Sequence, residues 1–258
     1  MSEDRTGGDG GGLDTVPQID LRVPGPWRAP EELDEALARS ESEYDVDEQG
    51  MVHRPTGRRF DVGVLPRDDE IHEVFAGAGR ITDEDVAKVA SHAVKVHVSG
   101  PGGSPEAARA VMDAATALVR AGGYGVMVDN SGNCHGVGDW LALAGDPQMG
   151  GLYWAYVSVT GARDQVFSAG MHCLGFRDAE ILDPLSLGAP DVNAVGFLLH
   201  NFLGYVSQSG IPVLDGDALG DEESVMFRAR SCPCTRFPVG SPWYNPYGIW
   251  RLEPIGDD

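Results

Sequence analysis

The stretch that decides the fold is His92–Gly132, "HAVKVHVSGPGGSPEAARAVMDAATALVRAGGYGVMVDNSG". Val94, Val96 and Val98 alternate with Lys95 and His97, which is the period of a half-buried strand. Ser104 then stands at an N-cap and Pro105 in a first helical turn. Glu106, Arg109, Asp113, Thr116 and Arg120 recur three or four apart and predict a wet face, opposite Val111, Met112, Ala115, Leu118 and Val119. Gly122 and Gly123 stop the helix, and "YGVMVDNSG" opens the next strand. Strand, helix and strand make a β-α-β unit, expected to be right-handed with parallel strands.

Downstream, "DWLALAG" predicts a short helix. "GLYWAYVSVTG" (151–161) and "QVFSAGMHCLGFRDAEIL" (165–182) read as antiparallel strands, and a second long helix runs from a cap at Asp191 to Gly210. "IPVLDGDAL", "SVMFRARSC" and "YGIWRLEPI" supply the last strands. The order predicts an α+β fold: a mixed, mostly antiparallel sheet with two long helices on one face, a split β-α-β, ferredoxin-like plan with additions. Upstream, residues 1–29 read as a disordered Gly/Pro-rich tail, because they offer too little apolar surface to offset the cost of ordering. Residues 30–90 read as an N-terminal helix and β-hairpin region, with the hairpin turning at "RPTGR" and Thr82 capping a later helix. Residues 91–258 are the expected main domain.

The chain has 258 residues, with 40 acids against 19 bases and a formal net charge of -21. Such a charge disfavours nucleic acid and acidic membrane surfaces. It suits plain solubility or a basic protein partner. "MSEDRTGGDGGGLD" has no apolar stretch of a signal peptide, and the longest apolar run is too short to span a bilayer. A cytoplasmic location follows as an expectation, and the four cysteines are read as reduced thiols.

Those cysteines raise the question of chemistry. Cys134 is followed by His135, His172 is followed by Cys173, and Cys232 and Cys234 flank a proline. Cys134, His135, His172, Cys232 and Cys234 are therefore candidate metal ligands, with zinc the metal they would suit. The close C-x2-C pairs of structural zinc sites are absent, however, and no cofactor is expected. A catalytic thiol would be Cys173, served by His172, His135 or His200, but the acidic surroundings work against a thiolate. Free cysteines are also ordinary small core residues. His200 stands between Gly196 and Gly204 on the second long helix, where it either lines a pocket or is fixed by close packing. The loop "SGPGGSPEAAR" follows a strand and opens a helix as phosphate loops do, with Asp129 placed like a ribose-binding acid. Pro105 breaks the G-x-G-x-x-G pattern, so strand-to-helix turn geometry explains the glycines. "DGDALGDEE" (215–223) fails as a calcium loop, since Leu219 and Met226 stand where oxygen ligands belong. Trp243, Tyr244 and Tyr247 in "SPWYNPYGIW" are candidate partner-binding aromatics, with core filling as the other reading.

The segments "VKVHVSG", "AATALVRAGGYGVMVDNSGNCHGVGDWLAL" and "GMHCLGFRDAEI" together resemble bacterial proteins of domain-of-unknown-function family 4261. The resemblance covers roughly residues 92–185 and extends towards the C-terminal part. It implies a soluble bacterial α+β protein and supplies no catalytic residues, because the family's biochemistry is itself unknown. The functional expectation is a non-catalytic binding module for a basic protein partner, a toxin-neutralising immunity role being one form. The alternative is a hydrolase or metalloprotein built on the Cys/His set.

Overall fold

The computed structural model describes residues 16–78, 81–162, 164–184, 191–220 and 226–255. The chain runs β1 (Gln18–Gly25), α1 (Pro30–Arg39), β2 (Tyr44–Asp47), β3 (Gly50–His53), β4 (Arg59–Pro66), α2 (Ile71–Gly77), α3 (Asp83–Ala90), β5 (Val94–Pro101), α4 (Pro105–Arg120), β6 (Gly125–Val128) and β7 (Asn133–Gly136). It continues through α5 (Val137–Gly145), α6 (Met149–Tyr156), β8 (Ser158–Ala162), β9 (Gln165–Ala169), β10 (Asp178–Leu182), α7 (Val192–Gln208), β11 (Ala218–Leu219), β12 (Phe227–Cys232) and β13 (Ile249–Pro254). The class is α+β with mostly antiparallel sheets. Ser104, Thr82 and Asp191 each accept a backbone N–H as helix caps, from Ala107, Asp85 and Ala194.

The strands form two sheets. The first has the order β2-β3-β4-β5-β1-β6-β7. Strand β1 lies between β5 and β6 and is antiparallel to both. Strands β5 and β6 are therefore parallel, joined by α4 and split by β1. The run β1-α1-β4-β5-α4-β6 has the ferredoxin-like plan, with the β2-β3 hairpin added at one edge and β7 at the other.

That plan is built from different elements than expected. Its first strand lies inside the supposed tail, of which residues 1–15 fall outside the described residues. Ile19, Leu21 and Val23 alternate along β1 and are fully buried, which is a strand signal that the surrounding Gly- and Pro-rich composition masks. The boundary expected between residues 90 and 91 runs through the sheet, because β4 pairs with β5. The two helices on one face are α1, which buries Leu33, Ala36 and Leu37, and α4. Helix α7 packs instead on β8, β9 and β10 of the second sheet, whose order is β11-β12-β13-β10-β9-β8.

Helix α4 joins the two halves. One side meets β1, β5 and β6; the other meets α5, α6 and the turn before β10. Thr116, expected on the wet face, is consequently buried. Its hydroxyl donates to the Met112 carbonyl at 2.7 Å and accepts the Trp140 indole N–H at 3.0 Å. Tyr156 donates to the Ala108 carbonyl at 2.9 Å. The segment "GLYWAY", expected to be a strand, is helical (α6). It has no period-two alternation, and Leu152, Tyr153 and Tyr156 take the inward positions of a helix.

The segment with His172 and Cys173 is also no strand. Met171–Leu174 is one turn of 3-10 helix between Gly170 (φ 102) and Gly175 (φ 88). A Cβ on Gly170 would stand 2.0 Å from the Tyr156 carbonyl oxygen, so the turn requires glycine there. Among the described residues no helix is long and apolar enough to cross a membrane.

If β1 belongs to the core, Leu21→Ala is expected to destabilise the protein by about 2–5 kcal/mol. Urea unfolding monitored by tryptophan fluorescence measures it; a change under about 0.5 kcal/mol, as at a surface position, would return β1 to a tail.

Candidate functional site

Alternation along the central strands of the first sheet sorts polar from apolar. Ile19, Leu21, Val23, Val96, Val98, Val126 and Val128 face the helices. Asp20, Arg22, Lys95, His97 and Ser99 face the other way. Helices α2 and α3 cover one end of that second face with Ile71, Phe75 and Val89, which pack with Cys134 and Met127. There Lys95 reaches Asp68 at 2.6 Å. The other end is an open groove of about 590 Å3, lined by Asp20, His97, Asp129, Asn130, His172 and Tyr244 among others.

Asp20, His97 and Asp129 of the groove floor form a quartet of alternating charge with Arg22 beside them. Asp20 Oδ1 lies 3.0 Å from His97 Nε2. Asp129 Oδ2 accepts from Arg22 Nε at 2.7 Å, while Asp129 Oδ1 is buried with no hydrogen-bond partner. The hydrogen bond from His97 holds Asp20 below the usual carboxylate range, and the same bond raises His97. Asp129 moves the other way, because burial outweighs the favourable effect of Arg22. Its charge is the least compensated of the four.

Beneath the quartet, Asn130 ties the parts together. Its Oδ1 accepts from the Asp20 backbone N–H at 2.8 Å, and its Nδ2 donates to the carbonyls of Gln18 (2.9 Å) and Pro242 (3.1 Å). His172 Nε2 lies 3.2 Å from the same Nδ2. His172 Nδ1 is 3.8 Å from Asp178 Oδ2 and has no hydrogen-bond partner. Burial opposes a charge on this ring, whereas Cys173 and Asp178 favour one strongly enough to raise its pKa to about 10. The two hydrogens of Asn130 Nδ2 go to the Gln18 and Pro242 carbonyls, so its contact with Nε2 does not set the protonation of the ring.

Asn245 fixes the aromatic loop above. Its Nδ2 donates to Asp178 Oδ2 at 2.6 Å and to the Phe176 carbonyl at 3.0 Å, and its Oδ1 accepts from the Tyr247 N–H. Gly248 follows at φ 86, where a Cβ would meet the Cys232 carbonyl oxygen at 2.5 Å. Trp243, Tyr244 and Tyr247 are each half-buried and line three different cavities. Trp243 borders a smaller cavity of about 270 Å3 with Cys234, Arg236 and Arg251. There the buried Glu180 carboxylate holds Arg236 and Arg251, both at 2.8 Å.

Of the Cys/His candidates, His172 and Cys173 interact with each other, and the rest lie apart. Cys134 and His135 stand on β7 and point to opposite faces. Cys134 packs under α2 and α3, and burial pushes its thiol up to about 12. His135 is engaged by Asp139 Oδ2 at 2.6 Å and the Ala155 carbonyl at 3.0 Å. His200 meets the Tyr153 hydroxyl at 2.8 Å. Cys173 is fully buried in the main core, while Cys232 and Cys234 are half-exposed beside the second sheet. No three His, Cys, Asp or Glu side chains among the described residues form a metal-holding group. Of the candidates, only His172 and Tyr244 belong to the groove. Asp20, Arg22, His97 and Asn130 were not singled out by the sequence. The alternation of Lys95 and His97 against three valines was the available signal. No family model, curated protein or solved structure matches the chain.

Two outcomes follow from this geometry. A thiol reagent should label Cys232 and Cys234 in the folded protein, whereas Cys134 and Cys173 should react only on unfolding; four equally fast thiols would contradict their burial. The Asp20–His97 pair should contribute up to about 1 kcal/mol, estimated as for other partly exposed pairs. His97 has a raised pKa, so its share is complete below 6.5 and fades as pH rises through the folded value. Asp20 has a lowered pKa, so its share is complete above 3.8 and fades as pH falls. The stability difference between wild type and His97→Gln should therefore be largest between those two values. A difference that does not change with pH would show that the pair is not coupled to folding.

Proposed function

We propose that this chain is a non-catalytic binding protein for a basic protein partner, and that the groove beside the aromatic loop is where the partner docks. One observation carries the reading. The groove floor holds two carboxylates side by side, Asp20 on β1 (26% exposed) and Asp129 just after β6 (10% exposed). A lysine or arginine side chain entering the groove would gain a charge-assisted hydrogen bond there. Tyr244 forms part of the wall, on a loop that Asn245 and Asn130 hold from below. A half-exposed aromatic on a rigid support is the kind of residue that anchors interfaces. The net charge of -21 steers basic partners toward the surface. Neutralisation of a basic toxin by an immunity protein is one concrete form of this activity. The resemblance to family 4261 adds no residue to it.

The competing hydrolase or metalloprotein reading needs Cys134, His135, His172, Cys173 and His200 around one point. Cys134, His135 and His200 lie in three separate settings, and Cys173, which interacts with His172, is fully buried and out of reach of a substrate in the groove.

Immobilised protein and an Asp129→Asn/Tyr244→Ala variant should be compared in capture from the native host. A basic protein retained by wild type, released as salt rises above about 0.3 M and retained at least tenfold less by the variant is the expected result. Equal retention by both proteins would remove the groove from the interaction. No retained protein would remove the binding reading.

A further inference from the structure

Helix α7 stands apart from the rest of this acidic chain. Its 17 residues, "VNAVGFLLHNFLGYVSQ", include no Asp, Glu, Lys or Arg. Helix α1, by contrast, begins with Glu31 and Glu32, and α3 begins with Asp83, Glu84 and Asp85. One face of α7 buries Val195, Leu199, Phe202 and Leu203. The opposite face presents Asn193, Phe197, Asn201 and Tyr205, four apart, to solvent. Phe197 is 68% exposed and Tyr205 42%. Beside them lies a cavity of about 650 Å3 whose lining includes Leu198, Phe202, Leu219, Phe227 and Leu252.

We propose that the α7 face is a homodimer interface, in which Phe197 of each copy enters the apolar cavity beside α7 of the other. Two features identify the occupant as a second copy. The first is shape. An exposed ring stands next to an apolar hole on the same face. A two-fold axis through that face sends each ring into the other hole, as an isologous contact requires. The second is charge. Two chains of net charge -21 repel each other over most of their surfaces. Among the described residues, the face of α7 and the cavity lining carry no charge, as the centres of stable interfaces are depleted of charge. Acids flank them in the sequence, with Asp191 at the N-cap, Asp217 before the lining residue Ala218, and Asp221, Glu222 and Glu223 after Gly220. Their repulsion across the axis is screened by salt, so the dimer tightens as ionic strength rises. The groove for a basic partner behaves in the opposite sense, and the dimer does not depend on it.

Sedimentation equilibrium of the full chain, at about 50 mM and about 500 mM salt, tests the proposal. The expected result is a reversible equilibrium toward twice the 27.5 kDa chain mass, at least severalfold tighter at the higher salt. Phe197→Asp should weaken it at least tenfold, with an unfolding midpoint unchanged at concentrations where both proteins are monomeric, because the side chain is largely exposed. Tyr205→Ala, a milder change on the same face, should weaken it less. A single-chain mass at every concentration and salt would overturn the proposal. So would a dimer that Phe197→Asp leaves intact, or one that loosens as salt rises.

Discussion

The insertion of β1 between β5 and β6 is the constraint on which the rest depends. Without it, the parallel strands on either side of α4 would have no shared partner, and the first sheet would separate into two pieces. With it, Ile19, Leu21 and Val23 complete the apolar layer under α4. The same strand then places Asp20 and Arg22 on the opposite layer, beside His97 and Asp129. Core and groove are thus two faces of one strand. The period of two makes both from eight residues.

Helix α4 extends this layer to the second half of the molecule. A helix flanked by a sheet on one side and by helices on the other buries nearly its whole circumference. The small side chains Ala108, Ala114, Ala115 and Ala117 permit that close approach. Its polar atoms then need internal partners, and the Trp140–Thr116–Met112 relay supplies one set. The turn with His172 packs against the same helix. The groove floor therefore rests on both sheets through Asn130, His172 and Asp178.

Local signals in the sequence were readable where the chain determines its own conformation. Ser104, Thr82 and Asp191 cap the helices they were expected to cap, and the glycines after Arg120 end α4. The valines from 94 to 98 form the strand they predict. Signals failed where tertiary contact decides. The alternation in β1 was present, yet its composition resembled a tail, and its partners lie far along the chain. Thr116 fits a wet face by spacing, but α5 covers it. "GLYWAY" is apolar without a clear period, and packing against α4 makes it helical. The groove was harder still. Arg22 and Asp129 are 107 residues apart, and Asp20 and His97 are 77 apart, so no local pattern could join them. The Cys/His doublets drew attention because the residues are adjacent in sequence. On β7 that adjacency is what separates Cys134 from His135.

The distance between β1 and its partners also matters while the chain is being made. A ribosome releases Ile19, Leu21 and Val23 long before β5 and β6 exist to cover them. Until Pro101 has emerged, this apolar strand has two open edges, and until Val128 has emerged it has one, each able to pair with a neighbouring nascent chain. Arg22 and Asp20 interrupt it with charge at alternate positions, as gatekeeping residues do. The carboxylate that later floors the groove, and the guanidinium beside it, thus serve first to keep an unpaired strand soluble.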